Sequence, residues 1–180
     1  MKIKNIILFL TFVIGFSGCL IYTNVSYEIE TKGKYNGVAK INFYDIKSDA
    51  VGNKEFEEDK NALFNFMWKS DEFLSQMKLE GKDITSRKLY LDGKKLNAEV
   101  IFNFDDIKSV EGILYQEGFY YLTLDLADSV LSTNGTLIYS DNYKRILWAD
   151  TLKNLKFDMK TNVQIKKLRE LAPFLSQEQK

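Results

Sequence analysis

The chain reads as an α+β protein: an antiparallel sheet of about seven to eight strands, one broken helical segment over residues 54–80 packed on it, and a short C-terminal helix. Three observations carry that reading. Apolar residues alternate with polar ones near both ends of the first hundred residues, as in strands with one buried face. Between them the spacing switches to that of a helix. After the helical stretch, short strand-like runs follow one another, separated by glycine-bearing turns, so strands and helices are segregated rather than alternating.

In order along the chain, Val25, Tyr27 and Ile29 share one face of a strand, with Ser26, Glu28 and Glu30 on the other. Lys32-Gly33-Lys34-Tyr35-Asn36-Gly37 is a turn, and Ala39, Ile41 and Phe43 return as a second strand. Within 54–80, Phe56, Leu63, Met67, Leu74 and Met77 form a stripe, with Phe66 and Phe73 at its margin. Ser70-Asp71-Glu72 is a helix start in mid-segment, so a break is expected near Lys69, and Gly81 is a stop. Residues 84–91 and 95–104 flank Asp92-Gly93, a strong hairpin signal. The acidic start of Asp105-Asp106-Ile107-Lys108-Ser109-Val110 suits a single helical turn. A further hairpin joins 113–115 to 119–126 at Glu117-Gly118. Asn134-Gly135 turns into 136–139, and 143–148 and 152–159 are the last strands expected. Val163, Lys166, Lys167, Leu168, Leu171, Ala172 and Leu175 outline a short helix with a basic side, interrupted near Pro173. It is expected to be a frayed tail packed on the domain or loose in solvent, the alternative being that it lies on a membrane or docks on a partner.

The N-terminus has a different character. Lys2 and Lys4 precede an uncharged run over 6–16, and Phe16-Ser17-Gly18-Cys19 closes it with two small residues before the single cysteine of the chain. A spanning helix needs about 20 apolar residues, roughly twice this run. A plain secretory signal would leave an odd thiol in an oxidising compartment. The arrangement resembles the lipobox of bacterial lipoproteins, with Phe16 where that motif prefers Leu. The resemblance implies that Cys19 carries a diacylglycerol and becomes the first mature residue. Expected boundaries are therefore a signal peptide at 1–18, one α+β domain at 19–160 and a helical tail at 161–180. Leu20 behind the cysteine is not an Asp-type retention signal, so in a two-membrane cell the outer membrane is favoured, with the domain outside the cytoplasm.

Composition narrows the function. Basic and acidic residues number 25 each, and losing Lys2 and Lys4 leaves the remainder at about minus two. Nucleic acid, which demands a basic stripe, is not an expected partner. Histidine is absent, and the one cysteine is the lipidation candidate. Ser-His-Asp and Cys-His catalysis are thereby excluded, as is nearly all zinc chemistry. Neither a metal nor a cofactor is expected. Asp45, Ser48 and Asp49 do not match a calcium loop and fit a strand end followed by helix entry. Asp125, Asp128 and Ser129 with Ser132-Thr133-Asn134-Gly135 lack a base and a nucleophile elbow, so turn chemistry accounts for them.

The run Phe119-Tyr120-Tyr121-Leu122-Thr123-Leu124 is apolar on both faces. A helix over one side and a cavity on the other would explain it, making Tyr120, Tyr121, Leu122, Leu124 and Trp148 the candidate ligand-binding residues; burial on both faces is the alternative. The Gly-punctuated hairpin behind the lipobox, the helical insertion, and Asn97-Ala98-Glu99-Val100-Ile101-Phe102-Asn103-Phe104-Asp105-Asp106 leading into a short helix resemble the LppM-type envelope lipoprotein domain over residues 22–160. That resemblance implies an α+β domain at the envelope, in contact with lipid and without catalytic residues. The expected function is a membrane-anchored, non-catalytic module that binds an apolar or amphiphilic envelope molecule or an envelope protein. An enzyme acting on glycans through paired carboxylates is the alternative, marked by a cleft with carboxylates about 5–10 Å apart.

Overall fold

A computed structural model describes residues 19–161 and 167–178. The expected signal segment 1–18 lies outside the described residues, as do Val163 and Lys166 of the expected tail helix. In chain order the elements are β1 (Leu20–Ile21), β2 (Asn24–Thr31), β3 (Gly37–Tyr44), β4 (Lys47–Ser48), α1 (Asn53–Lys60), a π-helical stretch Asn61–Met67, and α2 (Asp71–Leu79). Then come β5 (Asp83–Asp92), β6 (Lys95–Phe104), a 3₁₀ turn Ile107–Ser109, β7 (Leu114–Gln116), β8 (Phe119–Leu124), β9 (Ser129–Thr133) and β10 (Thr136–Tyr139). The chain continues through β11 (Lys144–Ala149), β12 (Asn154–Lys160), β13 (Arg169–Glu170) and α3 (Ala172–Glu178).

The α+β class holds, with more strands and sheets than expected. Among the described residues thirteen strands form three antiparallel sheets, ordered β5-β6-β3-β2-β12-β9, β10-β11-β8-β7 and β1-β4-β13. The six-stranded sheet organises the rest. Its outer face carries charge, with Lys40 bridging Glu99 at 2.9 Å, Lys88 bridging Glu99 at 3.5 Å and Lys156 bridging Glu28 at 3.2 Å. Its inner face carries Val25, Tyr27, Ile29, Ala39, Ile41, Leu96, Ala98, Phe102, Leu155 and Phe157, all buried. Two covers share that inner face. The four-stranded sheet lies over the β2, β3 and β12 part through Tyr120, Leu122, Leu124, Ile146 and Trp148. The helices lie over the β5 and β6 part through Phe56, Leu63, Phe64 and Leu175, with Leu171 just ahead of α3.

Local chemistry explains how the chain makes this switch. β9 and β10 belong to different sheets, and Asn134-Gly135 between them is a corner rather than a hairpin. A Cβ on Gly135 would stand 2.6 Å from the Trp148 indole nitrogen and 2.8 Å from the Leu147 carbonyl, so only glycine fits. Asn134 Oδ1 accepts from the Trp148 indole N–H at 3.0 Å and from the Lys156 amide at 2.8 Å, pinning the corner to both sheets. Glu117 and Gly118 both have positive φ, 51° and 86°, the signature of the tight turn that suits twisted strands. Ser70 caps α2, its hydroxyl accepting from the Glu72 and Phe73 amides, so the expected break near Lys69 is present. Ahead of it, the Trp68 amide donates to Leu63 O at 3.1 Å, five residues back. That wider winding shifts the stripe and buries Phe64, which an ordinary helix period does not select.

The tail differs from the helix expected there. Arg169–Glu170 is a strand paired with β4, and the helix starts only at Ala172. Pro173 opens that helix instead of interrupting it, since a first-turn residue needs no amide donor. Leu171 and Leu175 are buried, and Phe174 meets Phe56 edge-on at 5.7 Å, so the described part of the tail is packed on the domain. No helix among the described residues is long and apolar enough to cross a membrane.

Candidate functional site: an apolar cavity between the helices and the sheet

The helical segment and the six-stranded sheet leave a gap over β3, β5 and β6. A cavity of about 120 Å³, partly open to solvent, fills it. Its floor is the inner face of the sheet: Ile41, Phe43, Ile84, Ala98, Val100 and Phe102. Its roof comes from the helical segment, with Leu63, Met67 and Trp68 from the π-wound end and Phe73 and Met77 from α2. Leu20 and Tyr22, directly behind Cys19, complete the wall. Almost all of the exposed wall is carbon. A cavity of about 150 Å³ with such walls stays dry and takes benzene, so the space suits an apolar group of similar bulk. Two roof residues are methionines, whose unbranched thioethers adapt to different shapes.

Four charged residues adjoin this space: Lys82, Arg87, Lys88 and Glu99. Arg87 is directly opposite Val100 in the β5–β6 register and shares its inward face. Its Nη1 donates to Met67 O and to Ser70 O, both at 2.9 Å, tying the edge strand to the break between the helices. Burial lowers its pKa, while the Asp71 charge acts second and in the opposite sense. Lys82, nearly buried, reaches Glu80 Oε2 at 3.3 Å. Lys88 and Glu99, which also adjoin the cavity, pair with each other and point to the opposite face of the sheet.

Glu111 does not line the cavity but is the most unusual acid near it in its electrostatics. It stands in a turn with φ at 53°, and its Oε1 is buried with no hydrogen-bond partner among the described residues. Burial pushes its carboxyl up to about 7, against a hydrogen bond from the Tyr27 hydroxyl and the nearby Lys82 charge. The Tyr22 hydroxyl is in turn pushed up to about 12, by burial first and by Glu111 second. Tyr22, a residue of the cavity wall, is thus electrostatically coupled to a buried acid.

The residues expected from sequence as ligand contacts fall elsewhere. Tyr120, Leu122, Leu124 and Trp148 are buried between the two larger sheets, and none of them lines the cavity. The cover on that side of β8 is the six-stranded sheet and not a helix. Tyr121 faces outward, where the Arg145 guanidinium lies 4.6 Å from its ring centre and 4.9 Å from that of Tyr143. Asp45 is held by its amide bond to Asn97 and by Lys47, and Asp49 accepts from Cys19. Leu63, Met67 and Met77 were legible as an apolar helix stripe, though not as a roof over empty space. Arg87 and Glu111 carry no sequence signal, being an edge-strand residue and a turn residue.

Compared with family models, with curated proteins and with solved structures, the chain matches none.

Proposed function

We propose that the chain is a lipoprotein of the bacterial envelope, tethered outside the cytoplasm by a diacylglycerol on Cys19, whose domain shelters the apolar part of an envelope amphiphile. The observation that carries this reading is the carbon-lined cavity roofed by Met67 and Met77. Its supports are the basic, apolar and small-residue sequence ending at Cys19, the exposure of Cys19, and the presence of Leu20 in the cavity wall. The layout resembling the LppM-type domain points the same way. In this reading the domain performs no catalysis, and its partners are the bilayer and a lipid.

Metabolic labelling with radioactive palmitate tests the tether, and solvent extraction of the purified protein followed by mass spectrometry tests the cargo. Label on the wild type that disappears in Cys19→Ser, together with a co-purifying lipid, is the expected result. An unlabelled wild-type chain overturns the tether, and a preparation free of lipid overturns the cargo.

A further inference from the structure

The cavity supplies walls for a hydrocarbon, and its charges say which kind of hydrocarbon. Lys82 is matched by Glu80, and Lys88 by Glu99. Arg87 is different: its Nη1 bonds two main-chain carbonyls, and no carboxylate stands within ion-pair distance of it among the described residues. A guanidinium held rigidly by Met67 O and Ser70 O, at an inward position on an edge strand and beside a carbon-lined space, is ready for a planar anion. Partial burial makes an unmatched cation costlier and raises what a counter-charge contributes. Asp71 acts on Arg87 only as a secondary influence, smaller than burial.

We propose that the ligand is a single-chain amphiphile with a carboxylate head, a free fatty acid, whose tail lies between Met67, Met77 and the floor of β6 while Arg87 receives the carboxylate. This rests on the apolar cavity of the proposed function and adds the headgroup and the residue that selects it. A second chain has no room in about 120 Å³. Even one tail of full length has to lift the roof, and the roof is the part of the fold with a break at Ser70, a π-wound turn and two methionines.

The test uses the full chain in phosphatidylcholine vesicles and two probes with the same diazirine-bearing hexadecyl tail, one a fatty acid and the other its neutral monoacylglycerol. After irradiation, adducts are located by peptide mass spectrometry. In the wild type, adducts are expected on the segment from Leu63 to Met77, with the acid about tenfold ahead of the neutral probe, as for one charged hydrogen-bonding pair. Arg87→Gln should bring the acid down to the level of the neutral probe, and Arg87→Lys should restore part of the preference. Because Arg87→Gln also frees two carbonyls, its thermal melt is measured alongside, and the comparison of probes on the wild type stands without any variant. Equal labelling of the wild type by both probes overturns the headgroup assignment and leaves the apolar cavity standing. Absence of adducts between Leu63 and Met77 with either probe overturns both.

Discussion

The Cys19 amide donates to the Asp49 carboxylate at 2.7 Å, and the Asp49 amide returns a bond to the Cys19 carbonyl at 3.2 Å. Residue 19 is thus part of the fold, one residue before β1 pairs with β4. Asp49→Ala should remove the charged half of this clasp, worth about 1 kcal/mol at so exposed a place. The loss is local, so amide exchange at Leu20 and Ile21 should quicken severalfold while the melting temperature hardly moves. Unchanged exchange in β1 would show that the strand is held by β4 alone.

Gly135→Ala meets backbone and indole together, since the added methyl would lie 2.6 Å from Trp148 Nε1 and 2.8 Å from Leu147 O. Neither neighbour can step aside without moving the corner between sheets. A loss of about 1–3 kcal/mol is expected, near 2–4 °C per kcal/mol in a chain of this size. A thermal melt within a degree of wild type would contradict the corner's tightness.

Burial of Glu111 makes stability depend on pH in an unusual direction. Its carboxyl rises from 4.5 to about 7, so between those values the folded chain holds a proton that the unfolded chain has released. Stability from this group is fullest below 4.5 and falls as pH climbs to about 7, on the order of 1.4 kcal/mol per pH unit, then levels off. Asp59 and Asp128, raised by burial as well, add a fall of the same sign nearer their ordinary range. Urea unfolding of the wild type and Glu111→Gln across this range isolates the effect. The variant should lose the downward slope, and parallel curves would refute the account.

Ala98→Val extends the floor into the cavity from a strand position that suits a branched side chain. Filling unoccupied space of this kind commonly gains about 0.5–2 kcal/mol. The same substitution should weaken tail labelling by the diazirine probes. A variant that is both more stable and as well labelled would place the tail elsewhere.

The legible parts of the fold are those in which one residue type answers one local demand. Glu117-Gly118 and Asp92-Gly93 declared their hairpins because tight turns need positive φ. Ser70 declared the second helix because its hydroxyl can serve two free amides. Ser129–Thr133 escaped notice as a strand because its serines and threonine read as turn chemistry, whereas they line an edge, with Ser132 bonding Asp158 at 2.5 Å. The two-residue strands β1, β4 and β13 are too short to show a period. The double-sided apolarity of β8 was visible, but local sequence does not say what covers each face. One is sealed by the six-stranded sheet, and the other carries the Tyr121–Arg145 stack. The site was harder still, since a cavity is a property of where helices and sheets fail to meet.

The small sheet ordered β1-β4-β13 has a practical corollary for anyone attaching a reporter. Strand neighbours are about 4.8 Å apart, so Arg169 runs roughly 10 Å from Leu20, beside the point of membrane attachment proposed for Cys19. A fluorophore near Arg169 would report on the bilayer surface. One on Lys34, in the tip of the eight-residue β2–β3 hairpin, would stand about 25 Å further along the strands and see bulk solvent instead.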